Sequence, residues 1–371
     1  MRSDGSTGGF IGIEVATDGL KAENERAMKG SASRSFLAAA TCVLVLGAQI
    51  LLLEVMLRRV NLVFPVVIWL LLAFLAIAPL LVVGILSWTL YNRIHGDASY
   101  LRSLVSVRWV GLSFLLVTSQ VMTTYFYAVL KLSIPLLNPR NFDQILWDFD
   151  RILLLGYSPN VFFLNLFSID WFLRLIDFGY GNLFFVSITA AAPFFFAHPR
   201  DSVRVGYFAN TVILWTSGAW LYWAVPSLGP AYKFFGVWDE VRSSFPVTTF
   251  LQHQLFENYE KVLLIPYGVL SPDIDPVFGI AAFPSMHVAF HVNLALWLAS
   301  WSRIWGRIGY VMAAIVFVGS VLTGWHYLID SIAGAVLGVV VYMIARPIMR
   351  WVGPAVAGDS AGLTENLPPS E

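Results

Sequence analysis

The sequence predicts an all-α integral membrane protein with about eight transmembrane helices. Three observations predict it. Hydrophobic residues make up 58% of the 371, charged residues only 12%, and the apolar residues fall in long uninterrupted runs. A soluble chain carries roughly 25% charged residues. Runs of about 20 apolar residues are long enough to cross a hydrocarbon core about 30 Å thick, and lipid must solvate much of such a surface. Formal net charge is zero, so no bulk attraction to nucleic acid is expected. The single cysteine, Cys42, excludes an intrachain disulfide and a multi-cysteine metal site.

Residues 1–35 are polar and mixed in charge, and read as a disordered cytoplasmic tail. The expected spans follow at about 36–57, 63–91, 109–130, 173–196, 205–226, 284–299, 308–324 and 329–349. The first two form an accessory pair over 36–108, and the other six form a bundle over 109–349. Between the third and fourth spans, Phe142 to Leu155 alternates acids with Ile, Leu, Trp and Phe, which reads as an interfacial amphipathic helix. Residues 350–371 end in a Gly/Pro/Ser-rich stretch and read as a second disordered tail. With the N-terminus inside, most lysines and arginines fall on the inner segments, as the positive-inside rule asks.

Two short stretches carry the chemistry. Phe283-Pro284-Ser285-Met286-His287 opens the sixth span, and Gly324-Trp325-His326-Tyr327-Leu328-Ile329-Asp330 opens the eighth. One span and a turn separate them, so both enter the membrane from the same outer side. Ionisable residues at the mouth of a bundle cost free energy and mark a site. His326 and Asp330 are spaced i, i+4, which lets the carboxylate bond one imidazole nitrogen and leaves the other as a nucleophile. His287, on another helix, can act as general acid. Pro284 and Ser285 suit a helix start, where free N–H groups attract an anion and the Ser285 hydroxyl adds a donor.

These stretches resemble the type 2 phosphatidic acid phosphatase superfamily. Pro284-Ser285-Met286-His287 is similar to its Pro-Ser-x-His motif, and His326-Tyr327-Leu328-Ile329-Asp330 to its final His-x-x-x-Asp motif. The resemblance implies a six-helix core over about 109–349. It also implies a site on the extracytoplasmic face, His287 as acid, His326 as nucleophile, Asp330 as its orienting group and Ser285 as a phosphate binder. A scheme built on these residues requires no metal and no organic cofactor. The phosphatases also carry a Ser-Arg pair before the nucleophile, where this chain has Gly319-Ser320, and a Lys-x6-Arg-Pro motif. Lys131 to Asn138-Pro139 has that spacing, but on the wrong segment and with Asn for Arg, and reads as coincidence. At the expected place stands Pro226 to Lys233, so Tyr232 and Lys233 become candidate phosphate binders. Losing the guanidinium groups weakens the grip on a phosphomonoester. The Gly229-Pro230-Ala231-Tyr232 stretch and the tract Asp143 to Pro159 look like the inositol phosphorylceramide synthase branch.

The expected activity is therefore transfer of a phosphorylated head group, such as inositol phosphate, from a phospholipid to a lipid or glycan hydroxyl through a phosphohistidine. Hydrolysis of a lipid phosphate by water is the alternative, and a lipid-binding or transport protein without chemistry is a third reading. The expected location is the bacterial inner membrane. His291, one turn from His287, reads as a packing or hydrogen-bonding residue, and Asp170, Arg174 and Asp177 as structural salt bridges.

Overall fold

The computed structural model describes residues 8–94, 99–265, 268–269, 274–275 and 277–353. Among them are the long helices α1 (Gly8–Arg59), α2 (Val66–Ile94) and α3 (Val107–Leu137), and the shorter α4 (Asp143–Leu153) and α5 (Pro159–Leu166). The span α6 (Asp170–Phe196) follows, containing a π-turn at Ser187–Ala191. Then come α7 (Asp201–Ala224), α8 (Pro246–Leu263), α9 (Met286–Trp301), α10 (Arg303–Leu322) and α11 (Leu328–Val352). One two-residue parallel bridge joins Leu62–Val63 to Gly268–Val269.

The all-α membrane reading stands. Six of these helices are long and apolar enough to cross a bilayer: Ala27–Arg59 of α1, then α2, α3, α6, α10 and α11. The other two expected spans are α7 and α9, which sit at the centre of the bundle. Most of the 16 residues of α9 are buried, against α7, α10 and α11. A helix surrounded by protein needs no lipid-facing surface, so α7 and α9 tolerate polar groups that pair across their interface. Asn210 and Asn293 exchange amide hydrogen bonds of 2.8 and 2.9 Å there.

The expected loose ends are in part ordered. α1 is helical from Gly8, in place of a disordered stretch over 1–35. No proline interrupts the chain before Pro65, and Ala22 to Lys29 is rich in helix formers. Ser31 Oγ donates to the Val352 carbonyl at 2.7 Å, and Arg34 Nη2 to that of Gly353 at 2.7 Å. The beginning of the expected C-terminal tail is thus bonded to the end of the expected N-terminal one. Residues 1–7 and 354–371 lie outside the described residues. Of the expected salt bridges, Arg174 Nε meets Asp170 at 2.9 Å. Asp177 goes elsewhere: it accepts from the N–H groups of Val247 and Thr248 at 2.8 and 2.9 Å, because the free donors at the start of α8 attract a carboxylate.

The contact that positions the site is the approach of α9 to α11. Gly334 and Gly338 stand one turn apart on α11. A Cβ at Gly334 would overlap the Ser285 carbonyl oxygen, and one at Gly338 would lie 2.5 Å from that of Ala289. Two backbones this close need glycine at both positions. Gly334→Leu should therefore lower the thermal midpoint of the detergent-purified protein, with a cost of at least about 1–3 kcal/mol. Gly30→Ala, where the nearest atom is the flexible Arg34 head at 3.7 Å, should leave it unchanged.

Candidate active site

His326 lies in the turn between α10 and α11, and that turn is tied down from every side. Its own N–H donates to the Ser320 carbonyl at 3.0 Å. Asn160 of α5 donates to the carbonyls of Val321 and His326 at 2.8 and 3.2 Å. Trp238 Nε1 reaches Leu322 O at 2.8 Å, and Gln252 reaches Thr323 O at 3.1 Å. The Gly229-Pro230-Ala231-Tyr232 stretch closes the turn from above. Gly229, at φ +105°, sits against the Trp325 carbonyl, and the Ala231 N–H donates to Gly324 O at 2.9 Å.

α4 falls where the amphipathic helix was expected, with Asp143 and Asp150 turned inward and Ile145, Asp148, Phe149 and Ile152 exposed. Asp143 is fully buried and accepts from the Leu228 and Gly229 N–H groups and from the Tyr327 hydroxyl, at 2.8 to 2.9 Å. Asp150 accepts from the N–H groups of Leu328 and Ile329 at 2.6 and 2.8 Å. It thereby caps α11, where unpaired donors and the helix dipole favour a negative charge.

The rings of His287 and His326 face each other with centroids 6.2 Å apart, inclined at 64°. His326 Nδ1 lies 2.8 Å from the Ala282 carbonyl. A carbonyl only accepts, so Nδ1 carries the proton and Nε2 the lone pair. His287 Nδ1 lies 3.1 Å from the Tyr180 hydroxyl, and its ring packs edge-on to Phe184 with centroids at 4.6 Å. His291 bonds the His287 carbonyl at 2.7 Å and the Ser187 hydroxyl at 3.1 Å, which is the structural role expected of it.

Both imidazoles line a cavity of about 420 Å³ bounded mainly by aromatic and aliphatic side chains. Lys131, near the end of α3, lines it too, with its ammonium 5.9 Å from the Tyr127 ring centroid and 5.6 Å from that of Tyr222. The sequence reading set this lysine aside because the Lys-x6-Arg-Pro spacing fell on an unexpected segment and with Asn138 in place of arginine. Its seven-residue spacing from Asn138 was the signal that could have found it.

The other expected site residues fall differently. Asp330 does not bond His326: its Oδ2 is 3.6 Å from Nδ1 and instead accepts from the Tyr327 N–H at 2.9 Å. α11 starts only at Leu328, so His326 and Asp330 do not share the helix face that an i, i+4 argument assumes. Asp330 is still held to the site, because its carbonyl accepts from the Ser285 N–H at 2.9 Å. Ser285 is fully buried, does not line the cavity, and spends its hydroxyl as the N-cap of α9 on the Val288 N–H at 3.4 Å. Tyr232 also stays off the cavity; it stacks on Phe256 and donates to the Gln252 carbonyl at 3.2 Å. Lys233 is exposed and outside the cavity wall.

The profile of the PAP2 superfamily matches residues 144–344, more than half of the chain, and holds both histidine stretches. The chain belongs to the PAP2 superfamily. No curated protein and no solved structure matches it. PAP2 membership makes this a protein of the phosphatase and phosphotransferase type, the six long apolar helices make it an integral membrane one, and the two histidines within the matched segment are the pair that meets in the cavity.

His326 lies between the spans, and burial pushes its imidazole down from 6.5 to about 3. Above pH 6.5 neither the folded nor the unfolded chain protonates this ring, and its contribution to stability is complete. As pH falls below 6.5 toward the folded value, the unfolded chain binds a proton that the native site refuses, and stability drops by up to about 1.4 kcal/mol per pH unit. The thermal midpoint should fall with pH over that window, and fall less steeply in His326→Gln, which cannot take the proton.

Proposed function

We propose that this PAP2 protein transfers a phosphorylated head group from a phospholipid to a lipid hydroxyl, through a phosphohistidine at His326. The observation that carries the reading is the pair of imidazoles, 6.2 Å apart on one cavity, with a lysine beside them. One phosphorus atom can stand between the two rings. His326 Nε2, kept as the lone-pair nitrogen by the Ala282 carbonyl, attacks it and the bond to the leaving oxygen breaks. His287 gives that oxygen a proton, then takes one from the incoming hydroxyl as the second bond to phosphorus forms and the N–P bond opens. While the phosphohistidine stands, its ring is cationic, and the Asp330 carboxylate 3.6 Å away stabilises that charge.

Lys131 supplies the cation that the phosphate needs. The position where related phosphatases carry arginine is Ser320 here, whose hydroxyl is tied to Ser331 at 2.7 Å. One lysine in place of arginine forks suits a diester, which carries one charge fewer than a monoester. The apolar cavity wall favours a lipid hydroxyl over water as acceptor. The lysine and arginine bias of the segments supports an extracytoplasmic position for this end of the bundle.

The test uses purified protein with head-group-radiolabelled phosphatidylinositol or phosphatidic acid, with and without ceramide. A new labelled lipid that depends on the acceptor is expected. Free inositol phosphate or phosphate as the only labelled product would replace transfer by hydrolysis. His326→Ala should lower turnover at least 10³-fold in order of magnitude, and Lys131→Met should raise KM about tenfold by removing a charge-assisted contact. Full activity in His326→Ala would remove that residue from the mechanism.

A further inference from the structure

The cavity does not stop at the histidines. It is lined on α7 by Tyr222, Trp215, Thr211 and Tyr207, so it follows that helix for 15 residues, or about 22 Å at 1.5 Å per residue. One leaflet's share of a hydrocarbon core is only about 15 Å. The floor is formed by Tyr207 and Phe196, whose rings pack at 5.6 Å. Phe185 of α6 lines the cavity and is also 63% exposed, so the cavity reaches the outer face of the bundle at α6. Its upper part is roofed by Thr248, Leu251 and Leu255 of α8, and its lower part is walled by Ile77 and Leu80 of α2. Ile77 packs with Val121 of α3 and Leu80 with the same cluster. Val121 is ten residues below Lys131, about 15 Å down the helix, which is the depth at which a chain anchored at the histidines reaches the end of its leaflet. Gln120 and Thr211 form a polar rung at this level, bonded to each other at 2.9 Å.

We infer that the lower cavity is a binding channel for the hydrocarbon chain of the phospholipid donor, and that α2 sets its length preference through Ile77 and Leu80. This rests on the reading of His287, His326 and Lys131 as the phosphate site. Both wall residues lie outside the matched segment 144–344, so the gauge is a feature that the N-terminal helices add to the PAP2 core. A chain leaving the bilayer for this channel exchanges one apolar surrounding for another and gains little from hydrophobicity. Its retention depends on close packing along the channel, so a wall residue of the wrong size changes which lengths fit.

The experiment compares wild type, Leu80→Trp and Ile77→Ala on dihexanoyl- and dioleoyl-phosphatidylinositol, reading turnover and, separately, bound lipid by native mass spectrometry. Leu80→Trp should cut kcat/KM for the dioleoyl lipid at least tenfold and leave the dihexanoyl lipid within twofold. It should also reduce the dioleoyl lipid retained by the protein. Ile77→Ala, which opens the wall and adds no bulk, should shift the preference toward the longer chain. Equal effects on the two lipids, or unchanged dioleoyl retention in Leu80→Trp, would overturn the channel. If wild type turns over neither lipid, the catalytic reading falls, and retention in wild type against Leu80→Trp still decides the channel.

Discussion

The site depends on one close approach, that of the start of α9 to the start of α11. Gly334 and Gly338 remove the side chains that would hold these backbones apart. Main-chain polar groups then lock the contact: the Ser285 N–H bonds the Asp330 carbonyl at 2.9 Å, and the Ala282 carbonyl accepts from His326 Nδ1 at 2.8 Å. The second bond does two things at once. It joins the segment carrying His287 to the turn carrying His326, and it fixes which nitrogen of His326 keeps its lone pair. Position and protonation state are therefore set by the same atom pair.

The layer above this contact explains why so much charge is buried near the membrane surface. Asp143 and Asp150 are both fully buried. A buried carboxylate is tolerable only when its lone pairs are used, and here they receive the N–H groups of Leu228, Gly229, Leu328 and Ile329. One face of α4 is exposed and apolar, while Asp143 and Asp150 hold the turn that carries His326. The helix thus straps the Gly229 stretch and the start of α11 together around His326.

The fold was legible because a spanning helix needs only length and apolarity, and the start of α9 because Pro284-Ser285 is a helix-start signal that the N-cap bond of Ser285 uses. The two histidines were legible because they open neighbouring helices. Other parts depended on contacts that spacing does not reveal. The partner of His326 is a backbone carbonyl, which no residue type announces, and Asp330 was misjudged because the helix begins two residues after His326. Lys131 belongs to a helix distant in sequence, and only the packing of α3 beside α7 brings it to the cavity. Ser285 and Tyr232 carry the right functional groups but spend them on capping α9 and on the Gln252 carbonyl. Lys233 carries a suitable charge but is exposed and not part of the cavity wall.

The most direct test of the account is rapid acid-free quenching of the protein with ³²P-labelled phospholipid, followed by peptide mapping of base-stable, acid-labile phosphate. The account predicts a phosphohistidine on the peptide holding His326, formed in wild type and chased by an added acceptor lipid. Label on the His287 peptide, or turnover with no phosphohistidine at any time, would contradict it.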